Sequence, residues 1–106
     1  MQLGIRNYFV YMSFPPTEVV DFDKLNAVFF KHAFRSSVRV GKELYELPVG
    51  VYRISSEEMS IAEVLQLVTR CVEGIVKSME ILVVEGLKFQ GMGLKAIARK
   101  SINLAI

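Results

Sequence analysis

Four basic side chains, Arg35, Arg39, Lys42 and Arg53, fall in one short stretch of the chain, interleaved with Tyr45 and Tyr52. A guanidinium meets a phosphate through two parallel N–H donors, and a phenol ring offers a face on which a base can stack. The combination points to single-stranded RNA. Glu43 and Glu46 sit among the same residues, so a solvated hairpin is the competing explanation. The remaining reactive side chains point elsewhere. His32 is the only histidine, so one chain holds no two-histidine mechanism or metal site. Its place near a helix end suits a surface or capping role. Cys71 falls on an apolar helical stripe, where a buried thiol is inert. Asp21 and Asp23 could pair on a metal, but at a helix start capping explains them better. Glu57 and Glu58, just ahead of a second helix, have the same explanation. No metal and no cofactor is expected.

The string "GMGLKA" at 91–96 follows a strand-like run, "MEILVVEG". G-x-G-x-x-A after a strand can open a dinucleotide site. Such a site also needs a following βαβ unit and an acid about 20 residues on to hold the ribose. Only ten residues follow Ala96 and none is acidic. The glycines are therefore read as a flexible turn, and no dinucleotide is expected.

These residues must be carried by a chain of 106 residues, the size of one domain, long enough to bury a core without staples. A single cysteine allows no internal disulfide, which fits a reducing compartment. The start, "MQLGIRNYFVYMSFPP", lacks the pattern of a signal peptide, and no run approaches the roughly 18 apolar residues of a membrane span. The expected location is cytoplasmic, with no membrane contact. The net charge of +2 hides an asymmetry: all eleven acids lie at or before Glu85, whereas Lys88, Lys95, Arg99 and Lys100 lie beyond it. A basic tail suits a polyanion or a docking contact, and a solvated tail is the competing explanation.

The elements follow from periodicity. "NYFVYMSF" at 7–14 alternates Tyr8, Val10, Met12 and Phe14 against Phe9, Tyr11 and Ser13, and Pro15-Pro16 ends it. Both faces are apolar, as in a central strand. Phe22, Leu25, Phe29 and Ala33 predict a helix over about 21–34, with Asp21 as its N-cap. Strands are expected near 38–40 and 49–54, with a turn beginning at Gly41-Lys42. Ser60 and Glu63 form a capping box. The stripe Ile61, Val64, Leu65, Val68, Cys71, Val72 and Ile75 then predicts a helix over about 61–76. "SMEILVVEG" is the last strand, ending at Gly86. The order strand–helix–strand–strand–helix–strand is the split βαβ pattern of an α+β, ferredoxin-like βαββαβ fold. It predicts a four-stranded antiparallel sheet with two helices on one face. The domain spans 1–86, and 87–106 is a basic, apolar C-terminal arm or short helix.

The layout, with "YFVYMSF" at 8–14, "FRSS" at 34–37, "VYRISS" at 51–56 and "SIAEVLQLV" at 60–68, resembles the antitoxin endoribonucleases of the GhoS type. That fold in turn is similar to the Cas2 proteins of CRISPR systems. The resemblance covers about residues 8–86 and implies cleavage of a toxin's messenger RNA. Cas2-type nucleases carry an acid at the end of the first strand, where this chain has Ser13 and Phe14, so metal-dependent cleavage of that kind is not expected. The resemblance assigns no catalytic residue here.

The function expected is a small regulatory RNA-binding protein, an mRNA-cleaving antitoxin of a toxin–antitoxin system or mobile element. Cleavage would be metal-independent, with Arg35, Arg39 or Arg53 stabilising charge as an RNA 2′-hydroxyl attacks. The alternative is a phage- or mobile-element-encoded interaction module that inhibits a host protein without catalysis. A dimerisation domain without ligand is the third possibility. Ile97, Ile102, Leu104 and Ile106 are apolar and lie beyond the domain, so the tail is expected to pack on a second copy in a homodimer. Packing back on its own domain is the other outcome.

Overall fold

The computed structural model describes residues 4–86 and 92–97. The chain runs β1 (Arg6–Ser13), α1 (Phe22–Lys31), β2 (Ser37–Val40), β3 (Glu43–Glu46), β4 (Val51–Ser56), α2 (Ile61–Val72) and β5 (Glu80–Gly86). It is an α+β fold with two helices and antiparallel sheets. β1 is the middle strand of a three-stranded sheet, flanked by β4 and β5. Its alternation puts Tyr8, Val10 and Met12 on one face, joined there by Tyr52 and Ile54 of β4. Leu25 and Phe29 from α1 and Val64, Val68, Cys71 and Val72 from α2 pack on those residues, so both helices cover the same face. The core is wholly apolar among the described residues.

Local chemistry sets the helix ends. Asp21 caps α1, its Oδ1 accepting from the Lys24 amide at 3.1 Å. The helix stops at Lys31, short of the expected end near Phe34, because Ala33 takes a left-handed φ of 74°. The capping box of α2 is formed in both directions. The Glu63 amide donates to Ser60 Oγ at 3.2 Å, and the Ser60 amide donates to Glu63 Oε1 at 2.7 Å. α2 ends at Val72, not near Val76, with an extended Glu73 and then Gly74 at φ 80° breaking the helical run. Ile61 and Leu65 leave the predicted stripe and are exposed at the helix start.

The expected four-stranded sheet does not form. The stretch 37–46 folds on itself as a separate two-stranded sheet, and β3 is a strand the sequence reading did not contain. The turn explains this. Gly41, with φ 64°, and Lys42 make a two-residue hairpin loop in which Val40 pairs with Glu43. β2 therefore finds its partner next door instead of in β4. Backbone pairing to β4 is made by Arg35, just ahead of β2, through two bonds of 2.8 Å with Arg53. Beyond that bridge the carbonyls are spent otherwise: Ser36 O accepts from the Leu47 amide at 2.8 Å, and Ser37 O from Arg53 Nε at 2.5 Å.

The described part of the arm is extended, not helical, and returns to its own chain. Ala96 bridges Tyr45, with Glu46 N–H donating to Lys95 O at 2.8 Å and Ile97 N–H to Leu44 O at 2.9 Å. Ile102, Leu104 and Ile106 lie outside the described residues. No described helix is long and apolar enough to cross a membrane.

Candidate nucleic-acid interface

The β1 register defines the sheet face opposite the helices. One cross-strand row reads Val51–Tyr11–Leu82 and the next Arg53–Phe9–Val84. Partners directly across an antiparallel pair share a face. Both helices lie on the other side; on this face Phe9 is nonetheless buried, whereas its neighbours reach outward. Tyr11 is 44% exposed, Leu82 61% and Val84 40%. A phenol ring stands beside aliphatic side chains, one row away from a guanidinium.

Arg35 and Arg53 meet at the margin of this face as paired backbone positions. The recorded partners of each guanidinium are carbonyls, and for Arg35 also a ring. Arg35 Nη1 donates to Phe34 O at 2.9 Å, and its Cζ lies 4.2 Å from the Phe30 ring centroid. Arg53 Nε donates to Ser37 O. No carboxylate is among these partners. Partial burial, and then the charge of Arg35, lower the pKa of Arg53 from its usual value. Among the described residues the site is thus built with two adjacent positive charges whose partners are carbonyls and a ring, not carboxylates.

The other predicted binding residues are dispersed. Arg39 is exposed on β2, its Nη1 donating to Lys42 O at 3.5 Å, and Lys42 sits at the hairpin tip. Val38 pairs with Tyr45 and Arg39 with Leu44, so Arg39 and Tyr45 point to opposite faces of the hairpin. Tyr52 is corrected outright: it is 3% exposed, packs on Phe29 at 4.5 Å and bonds its hydroxyl to Asn26 Oδ1. Its ring has no face to offer a base. Burial raises its pKa.

Separation of the hairpin from the sheet opens a cleft of about 630 Å³ beside α1, with Phe22, Asn26, Ser37, Leu47, Val51 and Ile97 among its lining residues. His32 is the exposed C-cap of α1. Cys71 is buried, and burial pushes its thiol pKa up, against a smaller opposing effect of Arg70. Neither takes part in the arginine cluster through any recorded contact. Among the described residues no group of three or more His, Cys, Asp or Glu gathers as metal ligands do.

Sequence reasoning missed Tyr11 as a candidate site residue. The signal was present in the alternation of β1, whose second face carries two aromatics where a one-sided strand would carry polar residues. Comparison with family models, curated proteins and solved structures found no match to this chain.

Proposed function

We propose that this chain is a small RNA-binding protein that lays single-stranded RNA along the exposed part of the outer sheet face at Tyr11 and holds its phosphates at the sheet margin. The observation that carries the reading is the Arg35–Arg53 pair, two arginines joined across a backbone bridge whose guanidiniums bond to carbonyls and not to carboxylates. A phosphate between them removes their mutual repulsion and accepts the donors left over from the carbonyl contacts. Tyr11, one row away, supplies a stacking platform that any base can use. Arg39 and Lys42 extend the positive charge along the hairpin. Cleavage of messenger RNA, as the resemblance to GhoS-type antitoxins implies, is the finer form of this reading. There the same guanidiniums stabilise the phosphate as the 2′-oxygen bonds to phosphorus and the P–O5′ bond breaks, the 2′-proton passing to water and the leaving 5′-oxygen taking one from water.

The test is binding of mixed-sequence single-stranded RNA as a function of salt. Each lost phosphate contact flattens the slope of log K against log salt by about 0.7 for a single strand. Arg35→Ala with Arg53→Ala is expected to weaken binding and flatten the slope by about 1.4. Tyr11→Ala is expected to cost about 1–3 kcal/mol for a stacked base and leave the slope alone. Absence of any RNA binding by the native chain at low salt removes the proposal. Incubation with RNA, with and without chelator, reads cleavage and its metal dependence separately.

A second reading has its own observation. Tyr11, Leu82 and Val84 form a contiguous, exposed apolar patch, as a protein-docking surface does. On this reading the chain is a non-catalytic module directed at a host protein. Loss of a captured host partner on Leu82→Asp, with RNA binding absent, would favour it.

A further inference from the structure

The outer edge of β3 is a strand-addition site, and it is occupied. Residues 95–97 lie antiparallel to β3 with two backbone hydrogen bonds, and the Ala96–Tyr45 pair sits between them. The side chains divide between two hollows. Ile97 lines the large cleft with Phe22, Leu47 and Val51, while Leu94 lines a smaller one with Val40 and Tyr45. Backbone pairing with alternate side chains in alternate pockets is how an extended peptide is recognised at a sheet edge. Here the ligand belongs to the chain itself. Gly93, at φ 71°, turns the chain immediately before the paired residues. That conformation favours glycine and makes this the natural place for the segment to change direction.

We infer that segment 94–97 is exchanged between two copies of this chain, each seating its Ile97 in the other's cleft. The structure names the occupant, because the segment that fits the edge is the one found on it. Exchange in a two-fold dimer preserves every contact seen within one chain, since the same donors, acceptors and hollows are used. The choice between the two forms is set by protein concentration and by the path from β5 to the segment. Each cleft is then completed by a residue from the other copy. The inference stands independently of RNA binding.

Positions 45 and 96 face each other as a pair without hydrogen bonds of their own, the closer type of antiparallel pair and within the span of a disulfide. Tyr45→Cys and Ala96→Cys are made as separate full-length chains, mixed, co-refolded and oxidised at rising concentration. Cys71 is buried and stays as it is; a chain without added cysteine measures its background. The expected result is a disulfide-linked heterodimer that grows with concentration, well above either variant oxidised alone. The same double substitution in one chain, kept dilute, is expected to close within the monomer. No heterodimer above background, with closure in the double variant, overturns the inference, since the segment then stays on its own chain. Failure of both overturns it as well, because the edge pairing is then not formed. Linkage no better than that of Tyr45→Cys with itself is collision and counts against it. Sedimentation of the unsubstituted chain supplies a readout free of new cysteines. A dimer that Ile97→Asp returns to monomer supports exchange. A monomer across the accessible concentrations, or a dimer unmoved by Ile97→Asp, overturns it.

Discussion

The three-stranded sheet and the β2–β3 hairpin are both antiparallel, yet they are held by different means. The sheet is backed by two helices and carries an apolar core in which Tyr8, Val10, Leu25, Phe29, Val64 and Val68 are fully buried. In the hairpin Val38 is the one strand residue that is buried, and Arg39, Val40 and Glu46 are exposed. Its ties to the rest run mostly through backbone atoms: the Arg35–Arg53 bridge and the segment at 95–97. A layer that buries its side chains is stabilised by the hydrophobic effect and resists local opening. One that relies on backbone bonds open to water opens at lower free energy. The charged groups of the proposed interface stand where these two regimes meet.

Matched substitutions in the two regions break or sharpen this contrast. The largest effect is expected from Phe29→Ala, which empties a fully buried site against Phe34 and Tyr52. About 3–5 kcal/mol should be lost in urea unfolding. Leu44→Ala on β3, only half-buried, should cost well under half as much. Similar losses at the two sites would mean that hairpin and sheet unfold as one unit.

The glycines give the next contrast. Gly50 has φ 87°, and a Cβ there would lie 2.6 Å from Met12 O, at the end of the backbone pairing between β4 and β1. Gly41 has φ 64° with nothing within 4 Å of its would-be Cβ. Gly41→Ala should cost about 1 kcal/mol, the penalty of a left-handed alanine. Gly50→Ala should cost clearly more, because backbone must also move. Equal melting temperatures for the two variants would show that the Met12 contact relaxes freely.

The smallest effect is electrostatic. The Ser60 backbone and side-chain hydrogen bonds lower the pKa of Glu63 in the folded state. The folded carboxyl therefore binds its proton less readily than the unfolded one. The associated stability is present above the usual carboxylate range and is lost as pH falls through the folded value. Melting temperature should drop on acidification, and Glu63→Gln should flatten part of that drop. An unchanged profile in this variant would place the acid sensitivity elsewhere.

How much of this was legible in sequence depends on how local the cause is. The capping box and the Val64–Val68–Cys71–Val72 stripe lie within one helix, so "SIAEVLQLV" carried its own instructions. The strand ending at Pro15 and the buried thiol were equally local. The helix ends were not, since Ala33 takes a left-handed turn that alanine alone does not announce. β3 escaped because "ELYE" has too few apolar positions to show a period. Arg35 and Arg53 were both read as binding residues, but their pairing depends on where β2 leaves the sheet. Tyr52 failed for the opposite reason: alternation puts it on the core face, and the reading gave it a role that needs the other.

The chain has no tryptophan and four tyrosines. Two of them, Tyr8 and Tyr52, are immobilised in the core, with hydroxyls bonded to Met59 O and Asn26 Oδ1. Near-ultraviolet circular dichroism arises from aromatic rings held in fixed, asymmetric surroundings. These two rings sit within the β1–β4 pairing and between the helices, so the optical fingerprint of this molecule is written by its sheet core. Light at these wavelengths follows chiefly the part that folds by burial, since Tyr45, on the hairpin, is only half-buried. A spectrum that looks native therefore reports that the scaffold is intact and leaves the hairpin's own state to be read by other means.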